Sequence, residues 1–289
     1  MYAPSFDYHR ASSIADAQRL LAANPGAKLL AGGHSLLPML KLRLAAPTAL
    51  IDLGRVAALK GISAEGGRIR IGAMTTHAEV AASGLLATSC GVVAEAAARI
   101  GDMAVRNRGT IGGSVAHADP AADMPTVLSA VGATMEIAGA GGATRTVGAA
   151  DFFQGMMATA VDEGEILTAI HVPVFGADTG AAYAKFAHPA SRYAVVGAAA
   201  VVTASGGTCS RAIIVVGGAT ATPTPLPAVA KALEGQRLTA EAIAAASARA
   251  ADDLAGDLMG DVFASGEYRR QVAGVYVARA LAAAAARTR

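Results

Sequence analysis

The chain has 289 residues, a formal charge of +2, and 53% hydrophobic against 16% charged residues. That balance supports a buried core and excludes a disordered chain. A charge near zero with no basic block also excludes a nucleic-acid binder that works by neutralising phosphates.

The first ten residues carry Asp7, His9 and Arg10 where a signal peptide would need an apolar run, so the expectation is a cytoplasmic protein. Residues 12–23 place Ile14, Ala17, Leu20 and Leu21 at helical spacing behind Ser12 or Ser13 as N-cap, and Asn24-Pro25-Gly26 stops that helix. Residues 28–31 form a short apolar run that ends in Gly32-Gly33, as a buried strand feeding a glycine turn would. A second buried strand is expected over 50–53, and a hairpin over 62–64 and 68–72 about Glu65-Gly66-Gly67.

Helices are expected over 76–82 and 89–100. The stretch from Arg106 to Ser114 has neither period and is expected as an ordered turn or loop, with helix resuming over 123–131. Strands then dominate over 134–138, 144–147, 166–172, 181–186, 194–203 and 211–216. The longest apolar run, 194–204, is about half a membrane span. After Pro223, Pro225 and Pro227, helices are expected over 239–253 and 265–286. The order describes an α+β chain, with its most natural boundary between Val174 and Gly180.

Two segments carry candidate chemistry. In Lys28-Leu29-Leu30-Ala31-Gly32-Gly33-His34-Ser35, a strand ends in two glycines whose backbone N–H groups can converge on an anion, and Ser35 adds a hydroxyl. The alternative is a plain strand-to-helix turn. In Gly109-Thr110-Ile111-Gly112-Gly113-Ser114, glycines permit close backbone approach and two hydroxyls can donate to phosphate oxygens. Two such loops suggest a pyrophosphate held from both sides. Neither matches a GxGxxG or GxxxxGK[ST] motif, which argues against a Rossmann unit and a P-loop. Asp123 opens a helix, where a first-turn charge is its bland role and a hydrogen bond to a ribose or another hydroxyl its functional one.

Other chemistries find no support. The six histidines show no metal-ligand spacing, there is no GxSxG elbow, and no acid, base or nucleophile stands out. Two cysteines, Cys90 and Cys209, form no CxxC pair and cannot alone ligate an iron–sulfur cluster. A redox cofactor that does its own chemistry would explain the missing catalytic groups.

Together, Ala31-Gly32-Gly33-His34-Ser35 and Thr110-Ile111-Gly112-Gly113 resemble the two FAD-pyrophosphate loops of the medium, flavin-binding subunit of molybdenum hydroxylases, the family of carbon monoxide and xanthine dehydrogenases. The resemblance extends over Leu36-Leu37-Pro38-Met39, Leu42-Arg43, Arg106-Asn107-Arg108-Gly109, His117-Ala118-Asp119-Pro120, Gly164-Glu165-Ile166-Leu167, Tyr183-Ala184-Lys185-Phe186 and the run from Ser191 to Gly197. It implies a two-subdomain FAD-binding region of the vanillyl-alcohol-oxidase type, over 1–55 and 56–176, then a domain over 177–289 with a small antiparallel sheet and helices.

Carried over by position, the resemblance implies that Lys28, Leu29, Leu30, Ala31, Gly32, Gly33, His34, Ser35 and Leu36 line the pyrophosphate and adenosine. Gly109, Thr110, Ile111, Gly112, Gly113, Ser114 and Ala116 would complete the cradle. Ile100 would pack on the cofactor, Asp123 would bind one of its hydroxyls, and Ile166 or Leu167 would offer apolar or backbone contacts. Lys185 would approach the flavin ring, and Tyr193 would sit beside it and gate access. His34 stands where Gln or Asn is frequent in this family, Ser114 where Asn or Asp is, and Tyr193 where an acidic or polar residue is. No catalytic residue and no metal are expected on this chain.

The implied assembly is a dimer of heterotrimers. A large subunit would hold the molybdenum cofactor, a small subunit two [2Fe–2S] clusters, and an external acceptor would be the route to the inner membrane face. A self-contained FAD oxidase or reductase of the same fold, and a non-catalytic structural subunit, are the alternative readings.

Overall fold

The computed structural model describes residues 2–254 and 256–288. Its first sheet is parallel, with β1 (Asp7–Arg10) and β2 (Lys28–Leu30) flanking β3 (Ala49–Asp52). Parallel neighbours need crossovers. The helix Ile14–Ala23 supplies the first, capped by the Ser13 side chain on the Asp16 N–H, and the helix Leu36–Lys41 supplies the second. Ala11, Ala17, Ile51, Leu53, Val56, Leu59, Met74 and Ile166 bury themselves in this region.

The second sheet contains β4 (Ile62–Glu65), β5 (Arg68–Gly72), β6 (Thr134–Ala138) and β7 (Thr144–Gly148). A small hairpin, β8 (Phe153–Gly155) with β9 (Ala158–Thr159), follows before the chain enters β10 (Ile166–Pro173). β10 runs antiparallel between β5 and β6, giving the order β4-β5-β10-β6-β7. Helices Gly91–Ala98, Ile111–His117 and Asp123–Ala130 bury Val92, Val93, Ile111, Val115, Met124, Val127 and Leu128 in the core that this sheet shares.

A third, antiparallel sheet is formed by β11 (Thr179–Ala187), β12 (Ala194–Ser205), β13 (Thr208–Gly217) and β14 (Thr224–Pro225). Tyr183, Ala199, Val201 and Val215 point into the core shared with the second sheet. Their neighbours Ala182, Ala198, Ala200, Val202, Ile214 and Val216 pack with helices Pro227–Leu233, Ala240–Ser247, Ala250–Asp253 and Gly266–Ala285. Burial on both faces explains why β12 reads as an unbroken apolar run rather than an alternating one. No helix among the described residues is long and apolar enough to cross a membrane.

The expected loop from Arg106 to Ser114 is instead two short helices, Met103–Arg108 and Ile111–His117, joined at Gly109-Thr110. Asp102 caps the first through the Val105 N–H, and Thr110 caps the second through the Gly113 N–H. Their brevity and the internal pair Gly112-Gly113 hide the helical period. The expected helix 239–253 is interrupted, since Ala240–Ser247 ends before Ala250–Asp253 begins.

Close packing of the last helix on the third sheet depends on Gly180, where a Cβ would land on the Ala284 carbonyl oxygen and 3.1 Å from the Arg287 Cβ. Gly180→Ala is expected to destabilise the chain by ~1–3 kcal/mol through overpacking. Gly91→Ala, where a Cβ meets nothing within 4 Å, is expected to stabilise it by ~0.4–1 kcal/mol through the unfolded state. Urea unfolding of the two variants checks both signs.

Candidate functional site

The first glycine segment leaves the carboxyl end of β2 and turns into the helix Leu36–Lys41. Gly33 takes φ +77°, a conformation that L side chains rarely adopt, and Ser35 returns to the right-handed region at φ −101° and ψ −50°. The N–H groups of Gly33, His34, Ser35 and Leu36 bond to no acceptor among the described residues, and the Ser35 side chain makes no capping bond. This run of unpaired donors is the feature a pyrophosphate requires.

The second segment is organised differently. Ile111 and Gly112 donate their amides to the Thr75 and Ala73 carbonyls at 3.0 and 2.9 Å, while Gly113 and Ser114 donate to the Thr110 side chain and carbonyl. Gly112 is small because a Cβ there would sit 2.5 Å from that of Ala73. Its task is close approach of the helix to the sheet, and what this segment offers a ligand is chiefly the hydroxyls of Thr110 and Ser114.

The two segments touch. A Cβ on Gly32 would collide with the Arg108 carbonyl oxygen and lie 2.7 Å from the Gly109 Cα, and one on Gly113 would lie 3.5 Å from the Ala31 Cβ. The contact is held from behind by His77, whose N–H donates to the Gly109 carbonyl at 2.9 Å, and by a bridge pairing Thr76 with Thr110. Gly109 must be small there too, since its Cβ would meet the His77 ring at 3.0 Å. Sequence reasoning did not single out His77 or Ala73. The capping box of Thr76 and Glu79 marks the helix His77–Ala81 but not the role of its first residue.

A second cluster joins Asp123 to Lys185. The Lys185 Nζ lies 2.8 Å from Asp123 Oδ2, with both side chains almost wholly buried, and it also donates to the Arg99 carbonyl at 3.3 Å. Tyr183 donates its hydroxyl to Asp123 Oδ1 at 2.6 Å. Tyr183 and Lys185 are two apart on β11 and so share a face, a spacing from which their common partner could have been anticipated. Burial pushes the Asp123 carboxyl up from its ordinary range, against the opposing pull of Lys185 and Tyr183. Burial and then the Asp123 charge raise the Tyr183 phenol. Asp123 is the first residue of its helix but Ala122 occupies the cap position, so its side chain serves this cluster rather than the cap. Ile100 sits next to the Arg99 carbonyl, and its own carbonyl accepts from Arg106 at 2.9 Å.

Tyr193 is half-exposed in the turn before β12. Burial raises its phenol first, the Asp119 carboxylate adds to this, the Ser35 hydroxyl opposes it, and Asp123 contributes least. Ile166 and Leu167 point to opposite sides of β10: Ile166 shares a core with Leu29 and Ala31, whereas Leu167 faces the core of the second sheet. Lys28, His34 and Ala116 are exposed, and Leu30 is half-buried. The residues present fit the pyrophosphate of FAD by the unpaired amides from Gly33 to Leu36, with the hydroxyls of Thr110 and Ser114 on the neighbouring segment.

A flavin-binding class follows from this cradle and from the arrangement of the sheets, and the comparisons with known proteins agree. Residues 4–175 match the FAD binding domain in molybdopterin dehydrogenase, and residues 181–284 match the CO dehydrogenase flavoprotein C-terminal domain. The chain is 42% identical to the carbon monoxide dehydrogenase medium chain of Afipia carboxidovorans, over 99% of this chain and 98% of that one. It is 38% identical to the 6-hydroxypseudooxynicotine dehydrogenase complex subunit alpha of Paenarthrobacter nicotinovorans, over 100% and 97%. The solved structure of carbon monoxide dehydrogenase from Hydrogenophaga pseudoflava contains a chain that superposes with a TM-score of 0.94 at 42% identity, covering 100% of both chains. The protein therefore belongs to the family of FAD-binding medium subunits of molybdenum hydroxylases, as an α+β flavoprotein subunit of the carbon monoxide dehydrogenase type.

His77 gives the site a pH signature. Burial pushes its imidazole down to about 4 from an ordinary 6.5, with His34 and Arg106 adding smaller repulsions. The folded state thus holds the neutral ring, and its stabilisation is complete above pH 6.5 and is lost as pH falls from 6.5 through about 4. The loss across that window reaches ~3 kcal/mol. His77→Phe is expected to remove this part of the acid slope in urea midpoints measured from pH 7 downward, whatever its effect on stability at pH 7; an unchanged slope would contradict the assignment.

Proposed function

We propose that this chain is the electron-relay subunit of a three-subunit molybdenum hydroxylase of the carbon monoxide dehydrogenase type. A large subunit would oxidise substrate at a molybdenum cofactor, and a small subunit would carry electrons through [2Fe–2S] clusters to FAD on this chain. An external acceptor would then take them. The observation that carries the reading is the run of unpaired amides from Gly33 to Leu36, set against the second glycine segment. It is a cofactor cradle in a chain whose only cysteines, Cys90 and Cys209, are both buried.

FAD, when bound, supplies the redox chemistry, and the protein supplies binding, orientation and electrostatics. The amides of Gly33 to Leu36 and the hydroxyls of Thr110 and Ser114 would neutralise and orient the pyrophosphate. Lys185, fixed by Asp123 and the Arg99 carbonyl, holds a desolvated cation beside Ile100, where it would favour negative charge on a ring. Tyr193 would cover that place from solvent. Asp123 neutralises Lys185 in the meantime, so neither charge is buried alone.

The domain organisation proposed is a first FAD subdomain over 1–55, a second over 56–176 and the C-terminal domain over 177–289. Relatives named for carbon monoxide and for a hydroxypseudooxynicotine substrate differ little in identity to this chain. The substrate is accordingly assigned to the large subunit, with carbon monoxide the leading choice.

Co-purification with its neighbours, followed by metal and flavin analysis and anaerobic addition of carbon monoxide, a purine or an aldehyde, tests this. The expected result is a complex holding molybdenum, iron and FAD, in which one of these substrates bleaches the flavin, while the isolated flavin-loaded chain is not reduced by any of them. Turnover of a metabolite by the isolated chain would favour a self-contained oxidase instead. A protein that takes up no FAD even with its partners would leave only a structural role.

A further inference from the structure

The carboxyl ends of all three parallel strands open into one cleft of about 430 Å3, lined by Arg10 from β1, Ala31 and Gly32 after β2, and Asp52 and Gly54 from the end of β3. Crevices outside the carboxyl ends of parallel strands are where open α/β units bind ligands, and this volume lies in the range of small-molecule sites. Across the cleft stand Asn107, Arg108 and Thr110, so its far wall is the approach to the second glycine segment. Among the cofactor candidates only Ala31, Gly32 and Thr110 line it. Gly33, His34, Ser35, Ser114, Asp123, Lys185 and Tyr193 are not among its lining residues.

The charges in the cleft are unequally committed. Asp52 accepts from the Tyr8 hydroxyl and from the Gly54 N–H at 2.7 Å, with Arg10 3.8 Å away. Glu79 is used by the Thr76 capping box, and Lys60 donates to the Gly54 carbonyl at 2.7 Å. The guanidinium groups of Arg55 and Arg108 have no hydrogen-bond or ion-pair partner among the described residues, although both line the cleft. Both acids are thus occupied and two planar cations are not, an arrangement that selects an oxyanion able to accept from a guanidinium fork.

We propose that this cleft is a second anion site, adjoining the flavin cradle and sharing Ala31, Gly32 and Thr110 with it, that binds a phosphate monoester of a small metabolite between Arg55 and Arg108. Ala31 and Met74 give the rest of the ligand an apolar wall. Because the Arg108 carbonyl abuts Gly32, a ligand held by Arg108 would stiffen the contact between the two glycine segments and so be felt at the flavin. The inference does not depend on the electron-relay reading.

The test is calorimetric titration of the flavin-loaded protein, with the partners it purifies with, using AMP and inorganic phosphate as probes and acetate at matched ionic strength as control. Arg55→Met and Arg108→Met are compared with the parent, and thermal unfolding confirms that both are folded. Saturable binding of AMP and phosphate but not acetate, weakened on the order of tenfold in each variant with flavin content unchanged, is expected. Absence of saturable binding, an equal response to acetate, or binding unaffected by either variant would overturn the proposal. So would loss of flavin in both variants, because the cleft would then belong to the cofactor.

Discussion

The meeting of Gly32 with the backbone of Arg108 and Gly109 is the constraint on which the rest of the site depends. Two backbones approach there so closely that no side chain fits between them. One belongs to the parallel first sheet and the other to the helical segment docked on the second, so the contact fixes the position of one unit against the other. Everything around it serves that approach. His77 and Thr76 tie Gly109 and Thr110 from behind, Gly112 lets the following helix settle on Ala73, and Gly33 turns the first segment so that its amides remain unpaired.

The C-terminal domain meets the FAD-binding region through side chains. β11 projects Tyr183 and Lys185 to the same side, where they meet Asp123 from the second unit. Gly197 on the neighbouring strand leaves room for the Tyr183 ring, because a Cβ there would lie 3.0 Å from the Tyr183 Cζ. A buried carboxylate with two donors and a cation is tolerable, whereas either charge alone would carry a large desolvation penalty. The same cluster that joins the two regions therefore also fixes a buried cation.

Much of this was legible in the sequence, and the exceptions have physical reasons. Apolar periodicity located the hairpin of β4 and β5, the three long strands β11, β12 and β13 of the third sheet and the long final helix, because each buries a regular face. It did not locate the two-residue β14 at Thr224–Pro225, where the prolines read as the end of the strands. It missed β1, whose Asp7-Tyr8-His9-Arg10 has no apolar pattern and pairs at a sheet edge. It also missed the helix Leu36–Lys41, which carries a proline, and the helix Gly84–Ser89. The glycine segments announced a backbone demand but not which demand. Gly33 answers one of conformation, while Gly32, Gly109 and Gly112 answer demands of space made by Arg108, His77 and Ala73. Such demands come from residues distant in sequence and have no local signature. Asp123 was likewise found by position, yet its partners Tyr183 and Lys185 lie 60 and 62 residues away.

Flavin content of Gly32→Ala, purified in its assembled state and checked for folding by thermal unfolding, measures the central contact directly. A single methyl group at this position must separate the two glycine segments by pushing on backbone, with no flexible side chain to yield. The account predicts a folded protein that has lost most of its FAD, with affinity for added FAD weakened on the order of a hundredfold. A folded Gly32→Ala protein with its full complement of flavin would contradict it.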